Sequence, residues 1–198
     1  MIKMHYRRPA RKVAALDRRF SVQQLFLYFG MRRYDDIKEI TYGDVKVLSE
    51  GNLEVYVRKS KTDQEGHGFV FYMTGEKMRG FSIPEVLAWY AESLGLRDGD
   101  YLFPHFRGAG KGKVVKIGHE YVSYSASAVQ LKRFCVKNDI PDLTMHSGRR
   151  GGVTVAVEMG MARNMIQAVG NWSSGAVDGY YHPLEPGVEF TEGLLRRL

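Results

Sequence analysis

Cysteine is nearly missing from this chain: Cys135 stands alone in 198 residues. That excludes an internal disulfide framework, and the neighbours Leu131, Phe134 and Val136 mark Cys135 as a buried, reduced thiol rather than a nucleophile. No apolar run approaches the roughly 20 residues that a membrane-spanning helix needs. Met1–Lys12 is basic but carries no apolar stretch, so no secretory signal is expected there. Together these absences make an intracellular protein the expectation. The six histidines and one cysteine do not fall at metal-ligand spacing, and Asp35 and Asp36 have no second acidic cluster to face. Neither a metal nor any other cofactor is expected. The glycine-rich run 108–113 is no phosphate-binding loop, because neither Lys111 nor Lys113 is followed by Ser or Thr. Acidic residues are outnumbered, 22 against 29 Lys and Arg, leaving a formal charge of +7. A surplus of this size suits a polyanionic partner.

What is present fits one domain with a proper core. Residues 1–20 read as a basic stub or linker, 21–186 as the folded domain, and 187–198 as a tail. Val22, Leu25, Phe26 and Phe29 recur at helical spacing within 15–29, and Gly30 should stop that helix. A short helix is expected over 34–40. Then the period changes to two. Val45, Val47, Leu53, Val55 and Val57 alternate with polar residues, with a turn at Ser49–Asn52, a second turn at Thr62–Gly66 and a third strand over 68–73. Ser82-Ile83-Pro84-Glu85 is a helix start of capping type, leading to a helix that runs to about Leu94. Gly108–Gly118 reads as loop or irregular hairpin. Further helices are expected from Ser123–Ser127 through Lys137, over 147–159, 162–169 and 174–181, with a short amphipathic one at 192–198. The expected fold class is α+β, mainly helical, with one small antiparallel three-stranded sheet near the N-terminal third.

The residues that carry chemistry are scattered through this plan. Arg33 lies three before Asp36, Lys61 sits on the expected hairpin, His146 lies three before Arg149, and Trp172 precedes Tyr181 by nine. Singly, each has an ordinary reading: Arg33 pairing with Asp36, Lys61 a turn lysine, His146 a helix cap, Trp172 and Tyr181 packed aromatics. Jointly they equip an attack on a phosphodiester. Two arginines can fork onto the non-bridging oxygens, and arginine stays protonated. A tyrosine hydroxyl, ordinarily with a pKa of about 10, needs a base or a cationic pocket. His146 can take that proton, Lys61 can protonate the departing oxygen, and the Trp172 indole can donate to the phosphate. Arg32, Lys59, Lys111, Lys113 and Arg150 are the further cations expected against a nucleic-acid backbone.

In order and in secondary-structure context, these residues resemble the catalytic domain of the tyrosine recombinases, the phage-integrase-like site-specific DNA recombinases. Arg33 with Asp36 matches the family's Arg-x-x-Glu/Asp box, Lys61 its hairpin lysine, His146 with Arg149 its His-x-x-Arg, Trp172 the His or Trp after Gly, and Tyr181 the nucleophile. The run His146-Ser147-Gly148-Arg149-Arg150-Gly151-Gly152 leans toward recombinases of mobile elements. Arg32 and Tyr180 adjoin their neighbours closely enough to leave one-residue alternatives open. Only a basic stub precedes the catalytic helices, where the family carries a DNA-grasping domain. The resemblance implies double-stranded DNA as partner, at the nucleoid or in the nucleus depending on the host. It implies cleavage through a 3′-phosphotyrosine, no ATP or metal, and assembly as a tetramer, with 187–198 as a segment exchanged between subunits. A type IB topoisomerase-like enzyme and a catalytically silent DNA-binding module are the alternatives.

Overall fold

The computed structural model describes residues 12–59, 67–107, 116–172 and 184–197. Helix α1 (Lys12–Tyr28) forms the spine, and its apolar stripe of Val22, Phe26 and Leu27 is fully buried. It ends before Gly30, and Met31 takes the left-handed region at φ 49°. That single turn redirects the chain into the short helix α2 (Tyr34–Ile37), which stops sooner than the expected 34–40. The reason is local. The Asp44 carboxylate accepts the Thr41 N–H at 2.8 Å and its hydroxyl at 2.7 Å, holding Tyr42–Asp44 as one 3₁₀ turn instead.

Strands β1 (Val45–Val47), β2 (Leu53–Val57) and β3 (Phe69–Met73) form an antiparallel sheet in that order, with Val45 opposite Val55 and Val55 opposite Phe71. Period-two alternation sends Leu53, Val55 and Val57 into the core. The turn between β1 and β2 falls at 48–52 as expected, with Gly51 at φ 83°. Helix α3 (Ile83–Leu94) begins where Ser82 caps it, its hydroxyl accepting the Glu85 N–H, and ends on left-handed Gly95.

The last residues of the run read as loop or irregular hairpin, 116–118, are strand instead: β4 (Pro104–Arg107) pairs with β5 (Lys116–Tyr121), with a register shift between Pro104 and Phe106. Helices α4 (Tyr124–Lys137), α5 (Ser147–Glu158) and α6 (Arg163–Gly170) follow. Cys135 is buried on α4 as a free thiol. The expected helix 174–181 lies outside the described residues.

The C-terminal helix α7 (Leu184–Arg197) is longer than the one expected over 192–198. Pro186 falls in its first turn, where a missing N–H is no loss. Phe190, Thr191, Leu194 and Leu195 are buried against β3, α5 and α6. Gly193 leaves room for the Met159 methyl, which lies 1.9 Å from where a Cβ would stand. The fold is therefore mixed helix and sheet, mainly helical, with the small three-stranded sheet in the expected place.

Candidate active site

Close packing of two helices builds the site. On α5, Gly148 would bring a Cβ to 3.0 Å from Leu27 Cβ, and Gly152 would bring one to 2.5 Å from the Tyr28 carbonyl oxygen. Glycine at these positions lets the α5 backbone settle directly onto the last turn of α1. Arg149, between them in sequence, is thereby delivered into the turn that joins α1 to α2. Its Nη1 donates to the Met31 carbonyl at 2.5 Å and its Nη2 to the Gly170 carbonyl at 2.9 Å. One guanidinium thus ties the end of α6 to the start of α2, across 118 and 21 residues of chain.

Trp172 lies beneath it, 4.0 Å from ring centroid to guanidinium carbon. The sequence folds this way because Asn171 is left-handed at φ 50°, folding Trp172 back over α6. The indole then occupies the space of a Gly170 side chain, 1.6 Å from where a Cβ would stand. So Gly-Asn-Trp works as a unit: glycine makes room, asparagine turns, tryptophan floors the arginine.

Arg33 is half-buried at the N-cap of α2. Its N–H donates to Asp36 Oδ2 at 2.9 Å, so the carboxylate fixes the backbone that carries the Arg33 side chain. Asp36 is 4% exposed, and its Oδ1 has no partner among the described residues. Burial and, after it, the Arg33 charge push the Arg149 guanidinium down to about 10, with Asp36 acting against them. Arg149 remains cationic at neutral pH. Arg33, Asp36, Arg149 and Trp172 are thus brought into one electrostatic cluster. His146 sits at the N-cap of α5, one turn from Arg149, with an exposed ring. Arg150 is exposed on the same helix, and Lys59 is exposed just past β2. Lys61, Lys111, Lys113, Tyr180 and Tyr181 lie outside the described residues.

Arg32 is the exception among the expected DNA contacts. It is buried, 1% exposed, and faces inward rather than toward a partner. The two adjacent arginines are separated by this: Arg33 keeps access to solvent, Arg32 does not.

Sequence reasoning missed a second anchor. Arg58 pairs with Asp44 at 2.8 Å, binding the end of β2 to the 3₁₀ turn after α2. Burial raises the Asp44 carboxyl, but the Arg58 guanidinium and the Thr41 N–H and hydroxyl outweigh it and hold it below the usual range. Among the described residues no three His, Cys, Asp or Glu side chains gather as a metal cage.

No protein-family model and no curated protein matches this chain. Solved structures do. A Holliday-junction complex of FLP recombinase aligns with a TM-score of 0.53 at 18% identity, over 86% of this chain and 43% of that one. A DNA Holliday-junction complex of an Flpe point mutant gives 0.57 at 18%, over 92% and 46%. A further Flpe complex gives 0.52 at 18%, over 85% and 42%. The chain spans less than half the length of these recombinases. Its fold is the one that they share.

Proposed function

We propose that this chain is the strand-cleaving domain of a site-specific DNA recombinase of the tyrosine type. The observation that carries the reading is Arg149: a buried guanidinium held between the Met31 and Gly170 carbonyls, floored by Trp172, in one cluster with Arg33 and Asp36. Residues from three separate stretches of sequence converge on one net positive site, and its remaining exposed edge suits a phosphate.

In this proposal Arg33 and Arg149 bind the non-bridging oxygens of a scissile phosphate. The Tyr181 hydroxyl attacks phosphorus, and His146 accepts its proton. The phosphorus–oxygen bond to the 5′ carbon's oxygen breaks, and Lys61 protonates that oxygen to a 5′ hydroxyl. The 3′ phosphate is left esterified to Tyr181. A 5′ hydroxyl from a partner strand reverses the step and rejoins the DNA. The bond is conserved in the adduct, so neither ATP nor a metal enters the balance. Assembly as a tetramer on two DNA sites, an origin in a mobile element and exchange of residues 187–198 between subunits belong to the same proposal. The last would require α7 to leave the surface it covers on its own chain.

The test is cleavage of nicked suicide duplexes of random sequence, native protein against Arg149→Ala. A recombinase loses cleavage by two orders of magnitude or more, roughly the loss seen when a preorganised oxyanion donor is removed. A DNA-binding module without chemistry gives no cleavage in either protein and loses only modest affinity.

A further inference from the structure

Arg32 takes no part in that chemistry, and its placement is unusual for an arginine. The turn through Gly30 and left-handed Met31 aims it into the core. Its guanidinium carbon lies 5.2 Å from the Phe69 ring and 4.9 Å from the Phe71 ring. Its Nε donates to the Gly30 carbonyl at 2.5 Å. A side chain on Gly30 would crowd this arrangement, meeting Phe71 at 2.9 Å and Arg32 Cγ at 3.2 Å. Neither terminal nitrogen of Arg32 has a hydrogen-bond partner among the described residues, and neither has Asp36 Oδ1.

Among the described residues the charges around it do not balance. Arg32, Arg33 and Arg149 interact electrostatically with one carboxylate there, that of Asp36, which is three positive charges against one negative, an excess of two. Burial, and then repulsion from Arg149 and Arg33, push Arg32 down to about 9, with Asp36 opposing. A buried charge short of partners is costly, and replacing one by an apolar side chain of similar volume is commonly neutral or stabilising. A methionine would keep an apolar, flexible side chain against Phe69 and Phe71 without the charge. The charge itself has a consequence, however. In a poorly screened interior its field reaches an anion bound on the open side of Arg33 and Arg149.

We propose that Arg32 is a positioning residue. Its uncompensated buried charge strengthens the grip of Arg33 and Arg149 on a DNA phosphate, and it is neutralised only when that phosphate is bound. The inference rests on the reading of this cluster as a phosphate site. Because one charge destabilises the free protein and favours the complex, its removal shifts the two in opposite directions.

Arg32→Met keeps the apolar stem and removes the charge, and Arg32→Lys restores the charge. Each is melted alone and with duplex DNA at low salt, then assayed for cleavage of suicide duplexes below saturation. Arg32→Met should melt at or above the native temperature alone. Its rise on adding DNA should be smaller, corresponding to binding weaker by on the order of tenfold. Its cleavage should fall at least as far, with Arg32→Lys recovering most of both. A free Arg32→Met that melts well below native makes Arg32 a structural residue and overturns the proposal. So does a folded Arg32→Met with native DNA stabilisation. If the native protein cleaves nothing, the recombinase reading fails, and the DNA-dependent melting shift still decides on Arg32.

Discussion

Two adjacent glycines on α5 should respond to the same substitution with opposite sign. In a helix interior Ala is favoured over Gly by about 1 kcal/mol. At Gly151 a new Cβ would meet the edge of the Tyr28 ring at 3.1 Å, a side chain that can turn aside. Gly151→Ala should therefore keep much of the helix gain, about 0.5 kcal/mol. At Gly152 the Cβ would stand 2.5 Å from the Tyr28 carbonyl oxygen, a backbone atom fixed in α1. The helices must then part, and a clash with fixed backbone falls in the upper part of the overpacking range, about 2–3 kcal/mol, which exceeds the helix gain. The net expectation is a loss of about 1–2 kcal/mol, so the two variants should differ by roughly 2 kcal/mol. For a chain of this length that is about 4–8 °C in melting temperature. Urea and thermal unfolding measure it. Separation of α5 from α1 also moves Arg149 off the Met31 carbonyl, so Gly152→Ala should lose cleavage more than stability alone accounts for. A Gly152→Ala protein as stable as Gly151→Ala would refute the claim that glycine contact sets the site.

Other consequences can be checked on the same footing. The Thr74 N–H donates to Thr191 Oγ1 at 2.7 Å in a fully buried setting, so Thr191→Val should orphan that N–H and cost about 1–3 kcal/mol in urea unfolding. Asp44 has its carboxyl held low when folded, so its contribution is present above the unfolded value of about 3.9 and is lost as pH falls through the folded one. Asp44→Asn should accordingly be less stable than native at neutral pH, with the difference shrinking in acid; a difference independent of pH would contradict the Arg58–Asp44 pairing.

Much of this was legible in the sequence, for identifiable reasons. Helix α3 announced itself because Ser82, Pro84 and Glu85 act locally, and the structure shows the Ser82 hydroxyl at work. The β1–β2–β3 sheet was readable because Leu53, Val55 and Val57 alternate over one buried face. The helix starting at Ser147 was placed within a residue. What escaped was set by tertiary contact. Strand β4 has four residues, beginning with a proline, too short a run for a periodic signal. Helix α7 contains Pro186, Gly187 and Gly193, which argue against a helix; burial of Phe190, Leu194 and Leu195 overrides them. Arg32 and Arg33 are identical in type and adjacent. Only the left-handed Met31 and the aromatic pair on β3 decide that one faces solvent and the other does not. Arg149 was singled out by its spacing from His146, but its two carbonyl partners, Met31 and Gly170, could not be read from any local pattern.

The most direct test of the account is the chemical identity of the protein–DNA bond. Native protein and Tyr181→Phe are incubated with nicked suicide duplexes, denatured and digested, and the DNA-linked peptide is identified by mass. Cleavage through Tyr181 leaves an adduct on that residue, resistant to denaturation and absent from Tyr181→Phe. An adduct on Tyr180 would move the nucleophile by one residue. No adduct from a protein that still binds the duplex would contradict cleavage through a tyrosine.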